Sequence, residues 1–202
     1  VSVANTDFLF FLNSDVLLLN DSYKQALVMF KDEKLFALSF AQIEKDGHIT
    51  GANMGYFSKG LFHHFQKDCS SVCSNLWPEG GSSIVNKKVF LELNGFDEIY
   101  SPFYWEDVDL GYRAKKKGYH TLFYPQVTVE HHHQSTINKY FTPEKIKTIA
   151  HRNQFLFIWK NIRGFLLLVH LFYLPLLLVK QQHNPQFKAG FYEALRKFFG
   201  KS

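Results

Sequence analysis

The sequence predicts an α/β fold, and three features of its 202 residues predict it. A continuous apolar run of strand length, Phe8–Leu12, and a second strand-like segment, Leu35–Ile43, stand apart from one another. Segments with helix start signals lie between and after them, at Asn86 and at Thr142-Pro143. The first run ends in Asn13-Ser14-Asp15, and buried α/β strands present their functional groups at that end. The length suits one domain, or one domain with an appendage, and can bury a core without a disulfide or structural metal.

In chain order, Phe8–Leu12 is a continuous apolar run between Asp7 and Asn13, which predicts a buried strand in a parallel setting. Asp21 or Ser22 caps a helix that turns Ala26, Leu27 and Phe30 inward. Leu35–Ile43 is a second strand, and Lys45-Asp-Gly-His48 a hairpin-type turn. Residues 51–79 read as a long functional loop with short elements. Gly80-Gly81 leads into a short strand through Val85, and Asn86 caps a helix over Lys87–Leu93 that Asn94-Gly95 stops. An aromatic loop, Phe96–Trp105, follows. The next helix carries Glu106, Asp107 and Asp109 in its first turn and Lys115, Lys116 and Lys117 in its last, both suited to the macrodipole, and Gly118 ends it. Tyr119–Val129 is a strand, with Pro125 marking an edge or a bulge. Thr142 as N-cap and Pro143 at N1 begin a helix running to about Lys160. Phe165–Val179 is apolar except for His170 and falls short of the roughly 20 residues that span a bilayer. Phe187–Phe199 is amphipathic and basic.

Charge divides the chain. Residues 1–138 hold 12 Lys/Arg and 16 Asp/Glu, and residues 139–202 hold 11 Lys/Arg with only Glu144 and Glu193, so a pI near 9.1 belongs to the tail. A basic, aromatic tail suits an anionic surface. Nucleic acid is a poor fit, because a long apolar run interrupts the basic residues. With 46% hydrophobic and 20% charged residues the chain is not disordered, and 12 Gly and 6 Pro exclude a collagen-like one. Cys69 and Cys73 lack a second pair to complete a zinc site, so two reduced thiols in a cytosolic compartment are expected.

Three constellations carry chemistry. Asp15, at a strand end beside a turn, suits Mg²⁺ or Mn²⁺ that completes its shell with substrate phosphates, although Asn-Ser-Asp is also ordinary turn chemistry. In Trp105-Glu106-Asp107-Val108-Asp109, adjacent carboxylates at a helix start can serve as a base or orient a hydroxyl. Glu106, Asp109 and Arg113 share one face, which predicts an ion pair for Asp109. Asp107 points to the face of Leu110 and Ala114, and an acid there is the better candidate for chemistry. In His131-His132-His133, one imidazole can ligate a metal, or the run can be a solvated turn.

The ordered set Phe-Leu-Asn-Ser-Asp-Val, Gly-Gly-Ser-Ser-Ile-Val, Asn-Gly-Phe-Asp-Glu, Tyr-Trp-Glu-Asp-Val-Asp-Leu-Gly-Tyr-Arg and Val-Glu-His followed by Ser135 resembles the family 2 glycosyltransferases, in their bacterial rhamnosyltransferase-like branch. The resemblance covers about residues 4–160. It implies a GT-A fold, an α/β nucleotide-binding sheet joined to an acceptor-binding half. It also implies sugar transfer with inversion from a nucleoside diphosphate sugar, with divalent Mg²⁺ or Mn²⁺, to a glycan or lipid-linked acceptor in cell-surface polysaccharide synthesis.

By that resemblance Asp15 holds the last position of the DxD motif and binds metal, while Asn13, where many members carry Asp, and Ser14 join it at the donor. Asp107 is the base that deprotonates the acceptor hydroxyl, and Glu106 orients the acceptor. His131 completes the metal site. Trp105 and the Gly80-Gly81 loop line the cleft, and Arg152-Asn153 matches a family habit. Members begin with a strand-helix-strand unit that holds the nucleoside base, yet only about twelve residues precede Asn13. A fragment lacking its leading part, inactive alone and with an open sheet edge, is therefore expected. Residues 1–140 are expected to be the later part of the catalytic domain. Residues 141–202 are expected to form a helical tail on the cytoplasmic face of the inner membrane, peripheral or monotopic, with Phe165–Val179 as an interfacial or re-entrant anchor or else as a buried core helix that packs on the catalytic half. The rival readings are a metal-dependent hydrolase, which would want a denser ligand set, and a non-catalytic membrane-associated module.

Overall fold

The computed structural model describes residues 3–44, 46–131 and 136–200. Lys45, His132, His133 and Ser135 lie outside the described residues, as does the side chain of His131. The chain forms two compact units: Val1–Met54, His64–Phe96 and Asp107–Gln134 make the first, and Gly55–His63, Asp97–Glu106 and Ser135–Ser202 the second.

The first unit is built on a mixed sheet of order β1-β8-β3-β9-β2: β1 Phe8–Leu12, β2 Val16–Leu18, β3 Leu35–Ile43, β8 Ser82–Asn86 and β9 His120–His131. Short strands β4 (Ile49–Thr50) and β7 (Cys73–Asn75) add to β3 and β9. Strand β3 is the centre. It is buried along nearly its whole length, Ser39 and Gln42 included, and runs parallel to β9 and antiparallel to β8, and a strand covered on both faces is mainly apolar. A register irregularity between Leu35 and Ala37 interrupts the alternation of faces along β3. Phe36 packs with Val85, Val89, Phe90, Leu110 and Ala114 on one side, and Leu38 and Phe40 with Ala26, Ile84, Val127 and Val129 on the other.

Strand β1 departs from the expected parallel, buried setting. It lies at the end of the strand order, pairs antiparallel with β8, and leaves Phe10 38% and Leu12 42% exposed. Its apolar run serves both faces: Phe11 packs on Phe90 at 5.3 Å, and Phe10 meets Tyr23 edge-on at 5.1 Å. Pro125 marks a bulge, not an edge. Phe40 pairs with Tyr124 and Ala41 with Thr128, so Pro125–Val127 bow out of an interior strand.

The helices start as the capping chemistry requires. Asn86 Oδ1 accepts from Val89 N at 3.2 Å to begin α2 (Lys87–Glu92), and Asn94 and Gly95 end it at positive φ. Helix α1 (Tyr23–Ala26) is a short turn continued as a 3₁₀ segment, Leu27–Lys31. Neither Asp21 nor Ser22 caps it with its side chain; Asn20 Oδ1 accepts from Ser22 N, and Asp21 pairs with Lys24 at 2.8 Å. Residues 51–79, expected as a loop, contain the hairpin β5 (Asn53–Ser58) and β6 (Leu61–Gln66). Cys69 and Cys73 are disulfide-bonded, not the two reduced thiols expected: Cys73 opens β7 and Cys69 lies in the loop before it, with their Cα atoms 6.8 Å apart.

The second unit centres on α5 (Pro143–Asn161), capped by Thr142 Oγ1 accepting from Lys145 N. Phe155 packs on Phe187 at 5.3 Å and Phe191 at 5.4 Å of α7 (Pro185–Phe199). Helix α4 is Thr136–Tyr140. Helix α6 (Gly164–Lys180) buries only His170; Phe165 is 77%, Leu168 64% and Phe172 71% exposed. It is therefore not the buried core helix of the alternative reading. Among the described residues no helix is long and apolar enough to cross a membrane.

Candidate active site

In the first unit, the turn between β1 and β2 holds Asn13, Ser14 and Asp15. Asn13 N donates to Gly81 O at 3.0 Å, and Val16 N donates back to Asn13 O at 3.1 Å. A Cβ on Gly81 would overlap the Asn13 side-chain amide, so the close approach requires glycine there. A Cβ on Gly80 would sit 3.9 Å from the Asp107 Cβ and 4.0 Å from its Oδ2. One glycine pair thus lies against Asn13 on one side and Asp107 on the other. Asp107 begins the helical stretch of α3 (Glu106–Lys116) within this unit, is half-buried, and accepts Val108 N at Oδ1 (2.8 Å).

The loop leading to these glycines is anchored by residues with no recognisable motif. Asn53 Nδ2 donates to Glu79 Oε1 at 2.6 Å, Asn53 N donates to Asn75 Oδ1 at 2.5 Å, and Gln66 Nε2 donates to Asn53 Oδ1 at 2.7 Å. Ser83 Oγ donates to Glu79 O at 2.7 Å. Isolated Asn and Gln carry no spacing signal; only the strands that meet here reveal the network.

Asp15 is half-buried and directly precedes Val16, whose backbone pairs with His131 across β2 and β9. The backbone of Asp15 and that of His131 therefore lie at the same end of the sheet. No group of three or more His, Cys, Asp or Glu side chains gathers as a metal cluster among the described residues. Asp109 is fully buried and accepts Arg113 Nε at 2.6 Å, the ion pair its spacing predicts, and Arg113 Nη2 also donates to Gly95 O at 2.8 Å.

In the second unit, Trp105 is buried against Phe157 (5.2 Å) and Phe62 (6.2 Å). Tyr104 and Trp105 both hold positive φ, 70° and 78°, a region that bulky side chains rarely enter. Glu106 follows. Its Oε2 is buried without a hydrogen-bond partner, and burial raises its carboxyl above the ordinary carboxylate range.

The fold and these groups set the comparison with known proteins. The profile of a family described as "Glycosyltransferase like family 2" matches residues 1–144. This chain belongs to glycosyltransferase family 2. Its GT-A fold is shared by GalNAc-T7, crystallised with UDP, GalNAc and Mn²⁺ (TM-score 0.53, 14% identity, 76% of this chain and 31% of that one). It is shared also by residues 1–349 of S. aureus TarS in complex with UDP-GlcNAc (TM-score 0.52, 14% identity, 97% of this chain and 59% of that one). In sequence, the N-acetylglucosaminyl-diphospho-decaprenol L-rhamnosyltransferases of two Mycobacterium tuberculosis strains are 32% identical over 82 residues, 41% of this chain. The match spans about a quarter, 26%, of the length of those relatives. Asn13, Asp15, Gly80, Gly81 and Asp107 lie in the first unit, and Trp105 and Glu106 in the second.

Proposed function

We propose that this family 2 chain belongs to an inverting glycosyltransferase that moves a sugar from a nucleoside diphosphate sugar to a hydroxyl of a glycan or lipid-linked acceptor, in cell-surface polysaccharide synthesis. The observation that carries the reading is the pair Glu106-Asp107. One carboxylate oxygen of Glu106 is buried with nothing to accept from, and Asp107 lies against the Gly80 backbone with Asn13 beyond Gly81. A buried acceptor without a donor is costly unless a ligand supplies one. An incoming hydroxyl is such a donor.

In this mechanism Glu106 accepts a hydrogen bond from the acceptor sugar and orients it. Asp107 takes the proton of the attacking hydroxyl while its oxygen bonds to the anomeric carbon in line with the departing diphosphate. The bond from that carbon to the diphosphate oxygen breaks, and the configuration inverts. Asn13 and Ser14 contribute at the donor, and the Gly80-Gly81 backbone, bare of side chains, lets the substrate approach closely. Trp105 supplies an apolar wall. Asp15 and His131 are the residues that would hold a hard cation taking most of its shell from phosphate oxygens and water. Bound there, Mg²⁺ or Mn²⁺ would neutralise the leaving diphosphate.

A second reading exchanges the two carboxylates. Burial of Glu106, with one carboxylate oxygen unpartnered, raises its affinity for a proton, as a base requires. Asp107→Asn and Glu106→Gln, assayed in the full protein with a panel of nucleotide sugars with and without Mn²⁺, separate them. The first reading expects Asp107→Asn to abolish transfer while nucleotide binding persists, and Glu106→Gln chiefly to raise the acceptor KM. Normal turnover by Asp107→Asn would defeat that assignment.

For the tail we propose that residues 141–202 associate with the cytoplasmic face of the inner membrane, as a peripheral or monotopic segment beside residues 1–140 of the catalytic half. The support is the exposed apolar surface of α6 between the basic residues Arg163 and Lys180.

A further inference from the structure

We infer that Asn153, held by Arg152, is a positioning residue that sets the conformation of residues 100–105 and thereby the placement of Glu106. Three carbonyls surround the Asn153 side-chain amide. Its Nδ2 lies 2.7 Å from Tyr100 O, 2.9 Å from Phe103 O and 2.8 Å from Tyr104 O. Asn153 is fully buried, so no water substitutes for these bonds. The orientation of the amide follows from chemistry. Only the NH₂ end can face three acceptors, and Arg152 Nε donates to Oδ1 at 2.9 Å from the other side. Arg152 Nη2 adds bonds to Ser101 O at 2.6 Å and Tyr100 O at 3.3 Å.

The loop so gripped is one that does not hold itself. Tyr104 and Trp105 sit at positive φ, and bulky residues persist there only where the surroundings over-determine them. The Asn153 bond to Tyr104 O acts at the first of these two residues. The backbone then passes through Trp105 into Glu106, whose buried Oε2 is unpartnered. The grip on the carbonyls therefore fixes where Glu106, at the helix start, is aimed.

This rests on the reading of Glu106 and Asp107 as the acceptor-activating pair, and the experiment keeps the two apart. Full-length protein carrying Asn153→Asp, which keeps the size and removes both N–H donors, is compared with Asp107→Asn. Turnover per folded molecule, acceptor KM and nucleoside diphosphate affinity are measured for each. A misplacement of about 1 Å at a reacting group can cost about 100-fold, so Asn153→Asp is expected to lose between about 10- and 100-fold in kcat. Nucleotide affinity should stay within about twofold, since that site lies on other elements. A purely structural role would lower the melting temperature and leave kcat per folded molecule unchanged, and that result overturns the inference. If Asn153→Asp does not fold, Arg152→Lys decides. A lowered kcat at unchanged nucleotide affinity supports the inference, and an unchanged kcat overturns it. Should Asp107→Asn retain normal turnover, the base assignment fails, whereas the kcat of Asn153→Asp still reports on the loop.

Discussion

The indole N–H of Trp159 donates to Nε2 of His170 at 2.9 Å. Nδ1 of the same ring lies 2.6 Å from Gly60 O, so it carries the proton and donates there. Both ring nitrogens are committed in the neutral form, and His170 is fully buried. Protonating it would bring two donors face to face.

Burial accordingly lowers the pKa of His170, and the sign of the stability effect follows. Above the unfolded value of about 6.5 both states are neutral and the contribution is fully present. As pH falls through that value, the unfolded chain binds a proton that the native ring refuses, and stability declines by at most about 1.4 kcal/mol per pH unit per group. His151, also lowered by burial, acts in the same direction. Urea unfolding between about pH 7.5 and 5.5 should show this loss. His170→Gln should flatten the slope; an unchanged slope would refute the assignment.

Asp109 and Arg113 offer a second measurement. The carboxylate is fully inaccessible and the guanidinium is spent on it and on Gly95 O. Removing one partner of a buried pair costs about 3–5 kcal/mol, since it strands the other charge. Arg113→Met should therefore destabilise by roughly that amount. The double variant with Asp109→Leu should be less unstable than the two single losses combined. Strict additivity in chemical denaturation would mean the pair is not coupled.

Much of this architecture is legible in residue order because the local chemistry is decisive. Thr142-Pro143 and Asn86 start helices where their side chains accept from the backbone. The mainly apolar β3, interrupted at Ser39 and Gln42, reads as a strand covered on both faces. Phe8–Leu12 gives no such guidance about its partner, since an apolar edge strand flanked by aromatics on both faces looks the same as a central one. The β5–β6 hairpin is hidden because its strands lack clean alternation and its turn, Lys59-Gly60, is not a strong signal. Site residues with acidic or glycine signatures stand out in the sequence. Asn153 does not acquire a role until three carbonyls from 49 to 53 residues away fold around it.

The glycine pair yields a third prediction. A methyl group at Gly81 must displace the Asn13 side chain, whereas one at Gly80 meets Asp107 only at ordinary contact distance. Asn13 is exposed, so its movement costs little stability. Gly81→Ala is therefore expected to leave the melting temperature nearly unchanged and to raise the donor KM. Gly80→Ala should affect the donor KM less. Equal effects from both would mean that Asn13 does not serve the donor.

The last prediction concerns α6. Phe165, Leu168 and Phe172 each leave most of their surface in contact with solvent. Burying apolar area is worth about 25 cal/mol per Å², or roughly 1.5–3 kcal/mol for each large side chain taken fully out of water. A soluble surface gains nothing from such a stripe, whereas a lipid interface takes it up. Arg163 at the start and Lys180 at the end of the helix favour anionic headgroups, by about 1 kcal/mol for each basic residue near the surface. Flotation with vesicles containing phosphatidylglycerol should carry the protein upward, and vesicles of phosphatidylcholine alone should carry less. The combined change Phe165→Ser, Leu168→Ser and Phe172→Ser removes exposed groups and should preserve the fold. It should abolish flotation on both kinds of vesicle, whereas raised salt should weaken only the anionic preference. Flotation equal to that of the unaltered protein would show that α6 is not the lipid-facing element.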